Sequence, residues 1–442
     1  MAGPGTKAGA RASPLRTAAR WLSAEDRSIL ALETETVAGH TCKVIVLADR
    51  VDAPGLRAAI APRLPGVVPL HLRLETVDGR PCWAEETALD LAAHVVSSDS
   101  GGEPVDDGGL RRAVARLFEQ RLDRSRPLWR IDVVPCLEGG GSALVWRVHH
   151  AVADGSTFMR IAQAILWDAP EGAGRASAGV SRQARPAGHD AGHRLDALGT
   201  VAREVPHPWH RTPFNGHIDA RRAVAFASAD LQALRAAARA TDGATVNDAV
   251  LTVVSGGLRR WLESMHGRLG PIRVKVPVSL HHAPGPGYGD EGEPGNRDSF
   301  FCLDLPLGPA DPVERLREVH RSTRVRKDCH DAEHLDALMI RLGHVPRLRR
   351  FAERVLAHPR SFALNVSNVP GPRRTVDVMG VPVRSLHSLA EIREHHALRI
   401  AVVSLAGRLH FGVTADPTLV PDVERLAAEL EAEAAALVAE AA

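Results

Sequence analysis

The stretch VWRVHHAVADGSTF, residues 145–158, places two adjacent histidines shortly before an Asp-Gly pair. An apolar strand pattern leads into His150, and the apolar residues after Ser156 recur at helical spacing. This pattern predicts a strand that ends at His150, a tight turn at Asp154 and Gly155, and then a helix. Either Ser156 or Asp154 is the candidate N-terminal cap of that helix.

The two histidines are predicted to point in opposite directions, because successive side chains of a strand alternate between its faces. One metal ion is not easily ligated from both faces, and no further ligand spacing lies nearby, so we predict no metal site here. A neutral imidazole beside an apolar channel suits a general base near pH 7. A histidine satisfied within the core fits the same residues, and the pattern alone favours that simpler interpretation.

Composition narrows the class of protein. The chain has 442 residues, 44% of them hydrophobic, which is enough to bury two comparable halves. Its 55 Lys and Arg residues nearly balance 53 Asp and Glu residues, so we predict no nucleic-acid partner. Five cysteines without CxxC spacing predict neither a disulfide framework nor structural zinc, and indicate a cytoplasmic protein. No apolar run is long enough to span a membrane, so any membrane contact is predicted to be peripheral.

The predicted organisation has two halves around a linker. Residues 1–20 read as a disordered tail, and residues 21–170 as a first subdomain. A Gly-, Ala- and Pro-rich stretch follows and predicts a crossing linker at 171–215. Its Trp209 and Phe214 are predicted to pack on the body of the protein, with docking on a lipid surface as the alternative. Residues 216–442 form the second subdomain.

The pattern of strands and helices predicts the α/β class. Strand patterns in the first half include HTCKVIVLADR and SALVWRVHH. The Gly-rich loop 284–296 leads from one strand to another, so we predict an exposed connector rather than a phosphate-binding loop. Predicted helices of the second half cover 229–240, 246–264, about 311–327, 331–357 and the C-terminus from about 420.

HHAVADG resembles the HHxxxDG motif of acyl-CoA-dependent acyltransferases and condensation domains. Their fold is similar to that of chloramphenicol acetyltransferase, with two α/β subdomains and a channel between them. Further stretches resemble, in order, the bacterial wax ester synthase/diacylglycerol acyltransferase family, and the resemblance spans residues 22 to about 425. These stretches are LDRSRPLW (122–129), ATVNDAVLTVVSGGLRRWL (244–262), VPVSLH (276–281), GNRDSFFCLDLPLGPADPVERL (295–316) and NVSNVPGP (365–372).

The resemblance implies a mechanism. His150 would act as the general base that takes the proton from an acceptor hydroxyl, whose oxygen then attacks the thioester carbonyl of acyl-CoA. The resemblance implies no metal and no bound cofactor, with acyl-CoA as co-substrate. His149 would support the site, and Asp154 would fix the turn by pairing with an arginine. Gly155 would permit a tight turn or a close approach, because it has no β-carbon.

A second motif begins the helix near residue 246. Thr245 and Asp248 have the spacing of a capping box, so a structural role is predicted for Asp248. In the family's arrangement Asn247 lies near the channel, where its amide could donate to an oxyanion. The residues alone do not decide whether Asn247 has this role.

The PLW motif, formed by Pro127, Leu128 and Trp129, is predicted to pack around the tryptophan, and the resemblance implies a place near the acyl channel. Two family patterns are only partly kept in this chain. VAGHT retains His40 without a preceding Pro-Met, and ALDLAAHV retains His94 without the usual phenylalanine. These departures bear on the acyl and acceptor pockets.

The resulting hypothesis is transfer of a fatty acyl group from acyl-CoA to diacylglycerol or a long-chain alcohol. The predicted location is cytoplasmic, with peripheral contact at a membrane or lipid-droplet surface. One alternative is a condensation-type acyltransferase that acts on an amine or hydroxyl of a specialised metabolite. A catalytically silent lipid-binding protein is the alternative from another class.

Overall fold

The computed structural model describes residues 20–98, 103–168, 212–267, 270–279, 298–331, 334–335, 358 and 361–441. Several predicted features lie outside the described residues. They are the tail before residue 20, most of the linker including Trp209, the loop 284–296 and nearly all of the predicted helix 331–357.

The first large sheet has six strands. They are β2 (His40–Leu47), β5 (Val95–Ser97), β6 (Trp129–Val134), β7 (Ser142–His149), β12 (Asp377–Val378) and β13 (Val381–Ala390). Their order is β12-β13-β2-β7-β6-β5, and only β5 and β6 pair in parallel. Every residue of β7 is buried because both faces of this central strand are covered.

The second large sheet also has six strands. They are β8 (Ala223–Asp230), β9 (Ile272–Ser279), β10 (Asp298–Leu305), β11 (Leu364–Val369), β14 (Leu398–Leu405) and β15 (Arg408–Ala415). Their order is β10-β9-β11-β14-β15-β8, with β11 parallel to both of its neighbours. The two mixed sheets and their helices have the α/β class predicted from the sequence.

Helices and a small sheet complete the first half. The small sheet has the order β1-β4-β3 and is formed by β1 (Arg20–Trp21), β3 (Leu72–Val77) and β4 (Arg80–Glu85). Two 3₁₀ helices, Ala61–Gly66 and Val68–His71, precede β3. The α-helices are α1 (Ala24–Leu30), α2 (Ala53–Ile60), α3 (Leu91–His94), α4 (Asp107–Glu119) and α5 (Gly155–Ile165).

The helices of the second half pack on the second sheet. They are α6 (Leu231–Ala240), α7 (Val246–His266), α8 (Pro312–Asp328) and α9 (Val423–Glu440). Phe214 and Trp261 are fully buried in this core, with their ring centroids 6.0 Å apart. In the part of the chain that the structure describes, no helix combines the length and apolar character needed to cross a membrane.

Two features of the sheets differ from the sequence-based expectations. Strand β7 ends at His149, one residue earlier than predicted, because the His149 carbonyl accepts from the amides of Val152 and Ala153 and so begins a turn. Strands β12 and β13 lie in the range predicted for the second subdomain, yet they complete the first sheet through pairing of β13 with β2. The linker at 171–215 is still the predicted boundary between the two domains. This boundary does not separate the two sheets, because the first sheet takes β12 and β13 from the residues after the linker.

Candidate active site

His149 is held in place on three sides. Its backbone N–H donates to the Leu128 carbonyl at 2.9 Å, and its Nδ1 accepts from the Ala151 amide at 3.1 Å. The accepting Nδ1 leaves the proton of a neutral ring on Nε2, which lies 3.4 Å from a carboxylate oxygen of Glu33. Only 1% of His149 is exposed. These contacts orient the ring and leave it poorly placed to meet a substrate.

The surroundings of His149 depend on a glycine and a carboxylate. A β-carbon on Gly39, whose φ is +74°, would lie 2.7 Å from Nε2 of His149, so this close approach requires glycine. Glu33 also accepts from Arg124 at 2.9 Å. Burial alone would raise the Glu33 pKa, but its hydrogen bonds with His149 and Arg124 lower it. Glu33 therefore provides a negative charge beside His149.

His150 is the first residue after β7 and is half-buried. Its backbone N–H donates to the Gly39 carbonyl at 3.0 Å. Burial lowers the His150 pKa to about 4, helped by the positive charges of Arg399 and Arg393 and opposed by Asp154. The imidazole is therefore neutral at pH 7, which is the state that a general base requires. Because the two arginines belong to the second half of the chain, His150 lies where the halves meet.

Asp154 shapes the turn that follows His150. Its Oδ1 accepts from the Thr157 amide at 2.6 Å and from the Ser156 hydroxyl at 2.9 Å, so it is the N-cap of α5. Of the two candidate caps, the structure therefore uses Asp154. This geometry fits the structural role that the resemblance implied, although its pairing with an arginine stays a prediction.

Lys43 is a buried cation that the sequence analysis missed. It lies on β2 with 2% exposure, and its Nζ donates to the Ser388 hydroxyl at 2.6 Å. The ammonium is 5.5 Å from the ring centroid of Phe158 on α5. Burial lowers the Lys43 pKa to about 8, while the Asp154 carboxylate acts in the opposite direction. The only available signal was a lysine inside an otherwise apolar strand pattern.

Gly155 brings two sequence motifs together. A β-carbon built on it would lie 2.9 Å from Cγ2 of Val369, the last residue of β11. Val369 belongs to the NVSNVPGP stretch of the second half. The first turn of α5 thus packs directly against the second half, and a larger residue at position 155 would force the two apart.

The PLW motif lies beside the histidine pair. Leu128 provides the carbonyl that accepts from His149, and both Leu128 and Trp129 are 1% exposed. Nε1 of Trp129 donates to the Leu70 carbonyl at 2.8 Å, and the ring of His94 stacks on the indole at 4.4 Å. Pro127 is buried and its carbonyl accepts from the Trp129 amide. The motif thereby supports the backbone of β7 just before the turn.

His40, retained from the family pattern, pairs with His149 across β2 and β7. Its ring is fully buried and meets the edge of Phe118, with the centroids 4.8 Å apart. Burial and the positive charge of Arg147 lower the His40 pKa well below its ordinary value. His40 is therefore a neutral ring behind the histidine pair.

The second-half motif forms the capping box that its spacing predicted. Thr245 and Asp248 bond reciprocally at the start of α7. Asp248 also accepts from Thr323 at 2.6 Å and lies 3.0 Å from Nδ1 of His320, so it joins α7 to α8. Burial alone would raise its pKa, but these hydrogen bonds lower it. Asn247 is half-buried in the same turn, and its side chain has no hydrogen-bond partner among the described residues.

A buried ion pair connects separate segments near the site. Nε of Arg222 donates to Glu391 at 2.9 Å, and the other carboxylate oxygen of Glu391 accepts from the Ala38 amide at 3.1 Å. The Glu391 carbonyl accepts from Arg399, which is one of the arginines acting on His150. This network fixes the segment before His40 against the second half. No sequence pattern predicted it, because Arg222 lies 169 positions and Ala38 lies 353 positions from Glu391.

Within the described ranges, one cluster has the side chains and spacing to hold a metal ion. It consists of His217, Glu394 and His395, and His217 is 2.6 Å from Glu394. This cluster does not include His149 or His150. It lies on exposed and half-buried side chains, outside the turn.

Solved structures define the class of fold. A wax ester synthase/diacylglycerol acyltransferase from Marinobacter aquaeolei VT8 matches with a TM-score of 0.69 at 23% identity, covering 96% of this chain and 99% of that one. A variant of the starter condensation domain of rhizomide synthetase, solved with C8-CoA and Leu-SNAC, matches with a TM-score of 0.58 at 15% identity, covering 96% and 94%. The fold is therefore the chloramphenicol acetyltransferase-like fold predicted from the motifs, with its two similar α/β halves.

Sequence relatives define the family. Residues 22–190 match the wax ester synthase/diacylglycerol acyltransferase catalytic domain, and residues 294–437 match the WS/DGAT C-terminal domain. A Mycobacterium tuberculosis H37Rv protein, whose name assigns it diacylglycerol O-acyltransferase activity, is 32% identical over 397 residues, covering 80% of this chain and 77% of the relative. Another from the same strain is 29% identical over 457 residues, covering 93% and 94%. The chain belongs to the wax ester synthase/diacylglycerol acyltransferase family and is an acyltransferase.

Proposed function

We propose that this acyltransferase moves a fatty acyl group from acyl-CoA to the hydroxyl of diacylglycerol or a long-chain alcohol, with His150 as the general base. The main supporting observation is the neutral His150 at the turn where the two halves meet. Its chemistry needs no metal or bound cofactor, and acyl-CoA is consumed as a co-substrate.

In this reaction His150 first accepts a proton and later donates it. His150 accepts the proton of the acceptor hydroxyl while the oxygen attacks the thioester carbonyl. The tetrahedral intermediate expels the thiolate of coenzyme A as the carbon–sulfur bond breaks, and the imidazolium returns its proton to that sulfur. The products are an ester and free coenzyme A. The Asn247 amide is proposed as a donor to the oxyanion of the intermediate.

The charges around His150 affect this step. Arg393 and Arg399 disfavour the imidazolium, so the free protein holds a neutral but weakly basic ring. An ideal general base has a pKa near the operating pH. The phosphates of bound acyl-CoA would offset part of the arginine charge, and the pKa of His150 would then rise toward the working range.

The acceptor is proposed to be recognised through apolar contacts and drawn from a membrane or droplet surface by peripheral binding. Each buried methylene contributes about 0.8 kcal/mol to binding. Apparent affinity should therefore rise steeply for alcohols from roughly eight to sixteen carbons, until the channel is full.

The test measures release of free coenzyme A from palmitoyl-CoA, with products identified by mass spectrometry. The acceptors are graded alcohols, diacylglycerol, and a panel of amines and polar hydroxyl compounds. Esters of long alcohols or diacylglycerol, with apparent affinity rising along the alcohol series, would support the proposal. Turnover with no preference for long alcohols would contradict it.

A condensation-type reaction is the second candidate. The observation in its favour is the pair of arginines beside His150, which would suit a polar or anionic acceptor better than a purely apolar one. In the same assay, turnover confined to amines or polar hydroxyl compounds, or to a carrier-bound donor, would select this candidate. Lipid binding without turnover of any acceptor would indicate a silent lipid-binding protein.

A further inference from the structure

Two histidines and a glutamate converge at the connection between β13 and β14. Glu394 and His395 belong to this connection, and His217 belongs to the segment that precedes β8. Nδ1 of His217 lies 2.6 Å from Oε1 of Glu394, and Nε2 of His395 lies 3.9 Å from the same oxygen. One ligand atom of each residue lies within 4.8 Å of the other two. The three side chains therefore meet at one point, although 177 positions separate His217 from Glu394.

Glu394 and His395 form a two-residue turn. Arg393 and His396 face each other in an antiparallel bridge on either side of it, and the His396 amide donates to the Arg393 carbonyl at 2.8 Å. His395 has φ +64°, in the left-handed region that few non-glycine residues adopt. The turn thus holds two ligating side chains next to each other at the surface.

The segment that carries His217 is fixed to this turn by hydrogen bonds. Nδ2 of Asn215 donates to the His395 carbonyl at 2.9 Å, and the Ala397 amide donates to the Phe214 carbonyl at 2.9 Å. Phe214 is fully buried in the core of the second half, which anchors the segment. His217 follows Asn215 by two positions, so its backbone is held beside the turn by contacts that do not involve the three side chains.

The Glu394 carboxylate has no basic side chain to neutralise it. Among the described residues its charged partners are His217 and His395, and neither an arginine nor a lysine lies within ion-pair distance of it. The side chains of His217, Glu394 and His395 are 87%, 44% and 32% exposed, so an ion can reach all three from solvent. Neutral imidazole is a common metal ligand. A carboxylate between two imidazoles therefore offers a cation one negative charge and two nitrogen donors.

The donor atoms and their spacing favour zinc. Zn²⁺ binds imidazole nitrogen and carboxylate oxygen at about 2.1 Å in tetrahedral geometry, which places neighbouring ligand atoms about 3.4 Å apart. The separations of 2.6 Å and 3.9 Å from Oε1 of Glu394 lie on either side of this value. Small rotations of these exposed side chains would bring all three atoms to bonding distance. Mg²⁺ and Ca²⁺ prefer oxygen ligands, and this cluster offers them only one carboxylate.

We propose that His217, Glu394 and His395 bind one Zn²⁺ ion, with water completing its coordination. The ion would replace the hydrogen bond between His217 and Glu394 and would join the residues after the predicted linker to the connection between β13 and β14. Its role would be structural, because the cluster does not include His149 or His150 and the proposed acyl transfer uses no metal. This inference does not depend on the proposed function.

Isothermal titration calorimetry with zinc chloride tests the site on the full chain, prepared without a histidine tag and freed of metal by a chelator. The chain has 22 histidines, so the measured quantity is the Kd of the first, tightest equivalent of zinc. Glu394→Gln and His395→Asn should each raise this Kd at least tenfold, since even residues that only orient a metal ligand contribute about 10- to 100-fold. Asparagine tolerates the left-handed conformation of position 395. His266→Ala, at an exposed histidine outside the cluster, is the matched control and should bind like wild type.

Two further measurements complete the test. X-ray absorption at the zinc edge should show two imidazoles among the ligands of the first equivalent, at about 2.0 to 2.1 Å. Melting curves establish that each variant is folded, and His217→Ala replaces any variant that is not. Equal zinc binding by wild type and the folded variants, fewer than two imidazole ligands, or magnesium bound as tightly as zinc would overturn the proposal. Release of coenzyme A from palmitoyl-CoA, measured with the chelator present, tests the proposed function without this site.

Discussion

Replacing Lys43 with methionine tests whether a charged lysine is buried beneath the turn that follows β7. The pKa of Lys43 falls from an ordinary 10.5 to about 8. At 1.36 kcal/mol for each pKa unit, burying the charged lysine lowers the free energy of unfolding by about 3 kcal/mol. Because the folded pKa is lowered, the cost is fully present below pH 8 and disappears as the pH rises through 10.5. The stability of wild type relative to Lys43→Met should therefore increase by about 2 to 3 kcal/mol between pH 7 and 10.

Urea unfolding followed by tryptophan fluorescence measures this difference at each pH. The lost hydrogen bond to Ser388 and the lost attraction of Asp154 shift the two curves by an offset, so the change of their separation with pH is the decisive quantity. Arg239→Met, at an exposed position of α6 with no side-chain hydrogen bond or ion pair among the described residues, is the control and should give a curve parallel to wild type, because arginine stays charged across this pH range. Parallel curves for wild type and Lys43→Met would refute the reasoning.

Further predictions concern the turn itself. Asp154→Asn keeps the oxygen that caps α5 but removes the negative charge that stabilises protonated Lys43. The free energy of unfolding at pH 7 should fall by only about 1 kcal/mol, because the lysine can release its proton. Unchanged melting with activity lost would instead make Asp154 catalytic. Gly155→Ala should lower both the melting temperature and turnover, and adding Val369→Ala should restore them if their overlap is the cause. A profile of kcat/KM should stay flat from pH 5.5 to 7.5, because His150 titrates near 4; an inflection near 6.5 would contradict this.

The turn after β7 was predictable because its signals are local. A strand pattern, an Asp-Gly pair and helical spacing lie within fourteen residues, 145–158, and they place the turn to within one position. The remaining error, the end of β7 at His149, comes from two hydrogen bonds to its carbonyl that no spacing rule specifies. The capping box at Thr245 and Asp248 was equally local.

Contacts between distant segments could not be predicted in the same way. β13 pairs with β2 more than 330 positions away, and its sequence VPVRSLHSLA has no clear alternation to identify it as a sheet strand. Arg393 and Arg399 reach His150 only because the second half folds against the turn. Lys43 and Glu391 gain their importance from burial, which a charged residue in a single sequence does not reveal.

His150, rather than His149, is the proposed proton acceptor. His149→Ala should reduce turnover less than His150→Ala, because His149 is fixed by Glu33 and the Ala151 amide. If His149→Ala instead reduced turnover more than His150→Ala, the role of general base would pass to His149.

The most direct test is the rate of coenzyme A release from palmitoyl-CoA and a long-chain alcohol by wild type and His150→Ala. Both proteins must be shown to be folded by their melting curves, and His266→Ala, at an exposed histidine, is the matched control. We predict that His150→Ala lowers turnover by about 10² to 10⁴, the range typical of a lost general base, while His266→Ala matches wild type. Comparable turnover by wild type and folded His150→Ala would contradict the account.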